Sequence, residues 1–120
     1  MPGLIVAGVI GAARVDDLLR RVFAEALRRG ADVSVVAAGP ASTRQDRRVR
    51  DVVHRWEEQY PAIDVSLTVS REVDAVITLA AASRDGDLLV VRQSNDARTA
   101  AMVDEVARLA HSDILIVDRP

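Results

Sequence analysis

The residues best suited to chemistry in this 120-residue chain lie in one polar run, Arg92-Gln93-Ser94-Asn95-Asp96. It directly follows four apolar residues, Leu88-Leu89-Val90-Val91. A buried strand running into a polar loop that opens a helix is where open parallel α/β sheets bind ligands. The site lies beyond the carboxyl ends of the strands, near the point where strand order reverses. Arg92 could reach an anion there, and Asp96 suits the cap of the following helix. A phosphate cradle on such a loop needs glycine, because only glycine lets backbone N–H groups crowd round an anion at no steric cost. This loop has none, and no glycine follows Gly86.

The other constellations are poorer. Asp16 and Asp17 are adjacent on a helix and do not face each other, so dipole and solvent roles suit them better than acid–base work. Ser83, Ser94 and His111 sit in no Gly-x-Ser-x-Gly elbow and form no recognisable triad. His111-Ser112-Asp113 falls in a helix-to-strand turn, at the end of the sheet opposite the expected pocket. His54 stands off the apolar stripe of its helix with no second metal ligand in sight. No metal site and no catalysis are expected. The chain has no cysteine, which removes disulfides, thiolate metal sites and thiol nucleophiles together. All sixteen basic residues are arginine. A P-loop and a Schiff-base enzyme both need lysine, as do the response-regulator receiver domains whose βα rhythm this length resembles. All three are set aside.

The elements that must position the loop follow from the apolar pattern. Hydrophobic residues make up 49% of the chain and aromatics 2%, so a single domain over residues 1–120 can build one aliphatic core of the kind found between helices and a parallel sheet. The net charge of -2 favours neither nucleic acid nor an anionic membrane surface. The N-terminus has no basic region followed by a long apolar run, so no signal peptide is expected. No stretch approaches the roughly 18 apolar residues of a spanning helix. A cytoplasmic location is the default.

Leu4 to Val9 reads as a strand buried on both faces. Val15, Leu18, Leu19, Val22, Phe23, Ala26 and Leu27 recur at helical spacing, and Gly30 suits the position just past that helix. Val33 to Ala38 is a second strand. Thr43 and Asp46 have a capping-box shape ahead of a helix carrying Val49, Val52, Val53, Trp56 and Tyr60, which Pro61 stops. Ile63 to Val69 alternates apolar and polar residues, as an edge strand does. Ser70 is expected to cap a third helix whose inner face is Val73, Val76, Ile77, Ala80 and Ala81. Leu88 to Val91 is an interior strand. Met102, Val103, Val106, Leu109 and Ala110 mark the last helix, and Ile114 to Val117 the last strand. The order βαβαβαβαβ with short connections implies a five-stranded parallel sheet with right-handed crossovers. Helices then cover both faces.

With these elements in place the chain resembles the universal stress protein family. The stretches that carry the likeness are Ile5 to Ala12, Ala24 to Ala31, His54 to Val69, Ala81 to Val91, which is similar to the family's Ala-Asp-Leu-Leu-Val-Val strand, and Ile114 to Val117. The resemblance implies the adenine nucleotide alpha hydrolase-like fold, strand order 3-2-1-4-5. It also locates departures. ATP-binding members have Asp at the end of the first strand, where this chain has Ile10. They carry Gly-x-x-Gly, about nine residues, and Gly-Ser/Thr after the fourth strand; here Arg92 stands at the first glycine and Ala100-Ala101 near the Gly-Ser. The expectation is a member that does not bind ATP in the family's manner and needs no cofactor. It would act in stress response or regulation as a dimer, through protein contacts.

Two further expectations follow. The last strand is apolar on both faces with nothing after it to cover its edge, an aggregation liability unless it is paired. Ile114, Leu115, Ile116 and Val117 are therefore expected to pair with a second copy. The alternative function is a small-ligand or nucleotide receptor in a residual pocket at the carboxyl ends of the first and fourth strands, lined by Ile10, Gly11, Ala12, Ala38, Arg92 and Ser94. Arg92 could instead be an exposed strand-end arginine paired with Asp96 or Asp118.

Overall fold

Five strands alternate with four α-helices in the computed structural model, which describes residues 3–11 and 14–117. The strands are β1 (Leu4–Ile10), β2 (Asp32–Ala38), β3 (Val65–Ser70), β4 (Leu88–Arg92) and β5 (Asp113–Val117). The helices are α1 (Val15–Arg29), α2 (Thr43–Gln59), α3 (Ala75–Ala82) and α4 (Ala97–Leu109), with a single 3₁₀ turn at Ser83–Asp85 before β4. All four pairings are parallel, and the sheet runs β3-β2-β1-β4-β5, the order the family resemblance implies. Strand order reverses between β1 and β4. Among the described residues, no helix is long and apolar enough to cross a membrane.

Alternate residues of each strand feed two separate cores, because successive side chains point to opposite faces. Ile5, Ala7 and Val9 of β1 join Val33, Val35, Leu88 and Val90 beneath α1 and α2. Val6 joins Val36, Ala38, Leu89 and Val91 beneath α3 and α4. Both cores are aliphatic, with one exception. The chain's three aromatic residues form one cluster, Phe23 lying 5.3 Å from Trp56 and 5.4 Å from Tyr60 between ring centroids. Trp56 keeps its indole N–H satisfied by donating to Asp16 Oδ1 at 2.7 Å, as a partly buried Trp must. The same bond ties α2 to the first turn of α1.

The boundaries of several elements differ from the sequence reading, each for a local reason. Ser42, not Thr43, caps α2: its hydroxyl accepts from Gln45 N, and Gln45 Oε1 accepts from Ser42 N at 2.7 Å. The box is the expected device, shifted one residue. Asp74, not Ser70, caps α3, accepting from Val76 and Ile77 N–H. The inner face also differs from the expected one. Ala75, Leu79 and Ala80 face the core, while Val73 and Ile77 are 49% and 61% exposed. Leu27 is likewise exposed at 55%. β3 begins at Val65; Ile63 is buried just before it. Its exposed Ser66 and Thr68 alternate with half-buried Val65 and Leu67, which is the edge pattern the alternation implied.

Candidate functional site

A cavity of about 200 Å³ opens at the carboxyl ends of β1 and β4, the switch point of the sheet. Its floor is apolar: Gly8, Val9 and Ile10 from β1, Val91 from β4, Leu18 from α1 and Val103 from α4. Its rim is polar: Arg14 at the start of α1, and Arg92, Gln93, Ser94, Asn95, Asp96 and Thr99 from the end of β4 to the first turn of α4. Below Gly8 the floor is closed, since a Cβ there would meet Val91 Cγ1 at 3.0 Å and Leu79 Cδ1 at 3.1 Å.

The structure places Ile10, Arg92 and Ser94 around this cavity. Gly11 and Ala38 lie beside it and do not line it. The Gly11 N–H donates to Ala38 O at 2.9 Å, with Gly11 at φ +73°, so the two residues tie the ends of β1 and β2 together. Ala38 is fully buried in the α3/α4 core. Ala12 lies outside the described residues. Arg14 was not singled out from the sequence because a backbone turn positions it: it stands in the left-handed region at φ 56°, ψ 36°, uncommon for a residue with a Cβ. Thr99 was legible in principle, three residues after a capping Asp.

The loop after β4 spends its donors on itself. Gln93 Oε1 accepts from Ser94 N at 3.0 Å, and Ser94 Oγ accepts from Asp96 N at 3.1 Å. Asp96 Oδ2 accepts from Thr99 N at 2.9 Å and from Thr99 Oγ1 at 2.8 Å. These are N–H groups that a phosphate at a helix N-terminus would need. The Thr99 hydroxyl first, then the Thr99 N–H and the Arg98 charge, hold the Asp96 carboxyl pKa below its usual range. Asp96 is thus ionised where a phosphate would sit, and it neutralises the positive end of α4 itself.

Arg92 is the unusual group. Its residue is half-buried at the end of β4. Nη1 donates to Gln93 O at 3.2 Å, and Nη2 is shut off from solvent with no hydrogen-bond partner. Among the described residues Arg92 makes no ion pair, with Asp96 or any other carboxylate; Asp118 lies outside them. Its charge is felt at Asp17, whose carboxyl pKa is held below its usual range by the Arg14 hydrogen bond first, then by the charges of Arg14, Arg92 and Arg20. Arg14 already holds that carboxylate at 2.8 Å and Arg20 stands 3.7 Å from it. Three guanidinium groups thus act on the one carboxylate of Asp17.

The remaining candidates are structural. A wider cleft of about 680 Å³ runs between the start of α1 and α2, with Arg48, Asp51 and Arg55 on its wall; all three are exposed and of both signs, so it is a solvated groove. His54 is exposed and meets Glu58 at 2.8 Å one turn on. Ser83 is 1% exposed. Its hydroxyl donates to Ala80 O at 2.6 Å and accepts from His111 N at 2.8 Å. It pins the 3₁₀ turn to the turn before β5, at the end of the sheet opposite the cavity. No group of three or more His, Asp or Glu that could hold a metal ion occurs among the described residues.

No protein-family model matches this chain, and neither does any of the curated proteins. Solved structures do. The universal stress protein from Archaeoglobus fulgidus in complex with dAMP superposes with a TM-score of 0.68 at 16% identity, over 98% of each chain. A universal stress protein family member from Burkholderia pseudomallei gives 0.70 at 14% identity over 94% of each. A universal stress protein in complex with cAMP gives 0.61 at 25% identity over 98% of each. The chain has the universal stress protein fold, the fold implied by the resemblance of its strands.

Proposed function

We propose that this protein is a non-catalytic universal stress protein-like module that does not bind ATP in the family's manner and acts in the cytoplasm, as a dimer, through protein contacts in stress response or regulation. The observation that carries the reading is the self-bonded loop after β4. Gln93, Ser94 and Asp96 side chains occupy N–H groups of the loop and helix start, Asp96 supplies a negative charge there, and Ile10 ends β1 with an apolar side chain. Two relatives in fold were solved with dAMP and cAMP. Those are properties of those proteins, and the loop chemistry here argues against the same use.

The dimer rests on β5. Among the described residues this strand has β4 as its one neighbour, and Ile114, Leu115, Ile116 and Val117 are half-buried along its other, unpaired edge. An apolar edge left open recruits another strand; pairing with its counterpart in a second copy covers it. Sedimentation equilibrium tests this directly. A dimer at micromolar concentration that Leu115→Asp or Ile116→Asp dissociates supports the reading, and a strictly monomeric wild type defeats it.

A second reading, a small-ligand receptor at the switch point, is favoured by one observation: Arg92 Nη2 is buried without a partner beside a cavity. Buried polar groups in folded proteins are satisfied by protein, water or ligand.

A further inference from the structure

We propose that the cavity between the ends of β1 and β4 takes a small monocarboxylate with a short apolar body, its carboxylate held by the Arg92 guanidinium. The proposal rests on the receptor reading and gives it a ligand class.

Three features select that class. The first is size. At about 200 Å³ the cavity falls below the roughly 300–1,000 Å³ of sites for drug-sized ligands. Leu79 and Val91 pack directly against Gly8, so the cavity has no room beneath that residue. The second is polarity. Ile10, Leu18, Val91 and Val103 offer a ligand body only aliphatic contact. The third is charge. Arg14 is committed to Asp17, and Asp96 is committed to Thr99. Arg92 alone on the rim is a cation without a counterion among the described residues, and one of its amino groups lacks any partner.

A planar guanidinium matches a carboxylate with two parallel hydrogen bonds, and a single anionic charge is all it needs to balance. A phosphate monoester needs more. It carries close to two charges and is held by several converging donors, whereas the loop donors here are occupied and the Asp96 carboxylate repels a dianion. Binding requires the Arg92 guanidinium, whose Nη2 is buried in this structure, to turn from Gln93 O toward the cavity. The entering carboxylate then replaces one 3.2 Å contact with two charge-assisted bonds.

The test is calorimetric titration of the full chain with isovalerate, with isoamyl alcohol as its uncharged counterpart and AMP as a nucleotide. Saturable binding of isovalerate alone is expected, together with a shift of the Arg92 Nε–Hε resonance. Arg92→Gln should weaken binding by about tenfold or more, as expected for a lost charge-assisted pair. Arg92→Lys, which keeps the charge but not the fork, should recover part of it, and thermal melts of both variants establish that they fold. Binding of AMP or the alcohol in preference to isovalerate overturns the carboxylate class and leaves the receptor reading standing. Binding of none of the three overturns both. Unchanged affinity in a folded Arg92→Gln variant overturns the role given to Arg92.

Discussion

The amino end of the sheet and the loop between β4 and α4 at its other end use polar residues in opposite ways. At the amino ends of the strands, polar contacts join parts of the chain far apart in sequence. Asp87 Oδ2 accepts from Leu4 N at 2.8 Å, the Asp87 N–H donates to Leu4 O at 2.8 Å, and Ser83 joins the 3₁₀ turn to His111. Gly86 sits so close to β1 that a Cβ would lie 2.9 Å from Leu4 O and 2.8 Å from Val6 Cγ2. At the carboxyl ends of β1 and β4, side-chain bonds are local, between residues one to three apart in the β4–α4 loop. A cavity remains, and Arg92 Nη2 has no partner. The amino end closes the fold. At the other end Arg71 still ties the close of β3 to Asp46 and to Gly39 O, and only the β4–α4 loop bonds within itself beside an open cavity, as binding surfaces on a rigid scaffold commonly do.

Substitutions can break or sharpen that contrast. The largest effect is expected from Gly86→Ala at the closed end. Its φ of -122° suits any residue, so the penalty is steric; forcing β4 from β1 should cost about 2–3 kcal/mol, read by urea unfolding. Ser83→Ala should cost about 1–2 kcal/mol by leaving a partly buried His111 N–H unpaired. At the open end, Arg92→Gln should change stability by less than about 0.5 kcal/mol, or raise it, since it removes a desolvated charge without a counterion. A loss at Arg92 as large as that at Ser83 would erase the distinction between the amino end and the end of β4.

The smallest effect is in pH dependence. Asp17, Glu25 and Asp96 all have acidities raised by arginine or threonine partners: Arg14 foremost for Asp17, Arg28 for Glu25, Thr99 for Asp96. Groups depressed on folding stabilise above their unfolded pKa, about 4 for these carboxyls. That contribution is full above roughly pH 5 and is lost as pH falls through the lower folded values. All three groups are near the surface and screened by solvent, so the decline should be shallow. Melting temperature should hold from about pH 5 to 8 and fall below about pH 4. In Asp96→Asn the fall should be shallower. A melting temperature that rises on acidification would contradict the sign.

Much of this was legible beforehand. Leu88 to Val91 lacks alternation and proves fully buried, whereas Val65 to Ser70 alternates and lies at an edge; period and burial are linked through the pleat. Gly30 ends α1 in the left-handed conformation, a position glycine takes at no steric cost. The third helix was misread because Ser70 and Asp74 are both good caps, and local chemistry does not choose between them; tertiary packing of Leu79 over Gly8 does. The loop's lack of glycine was visible, and so was Asp96 as a cap. That Gln93 and Ser94 fold back onto the loop's own N–H groups was not, because such bonds depend on dihedral angles the composition leaves open. Arg14 was hidden for the same reason.

The central claim is that the N–H groups of the β4–α4 loop and of the start of α4 are already held by the loop's own side chains and are not free for a phosphate. The most direct measurement follows the backbone amide resonances of Ser94, Asp96 and Thr99 while ATP and magnesium are added to millimolar concentration. The account predicts that these amides stay where they are, because Gln93 Oε1, Ser94 Oγ and Asp96 Oδ2 already hold them. Saturable shifts of all three with a submillimolar midpoint would contradict it.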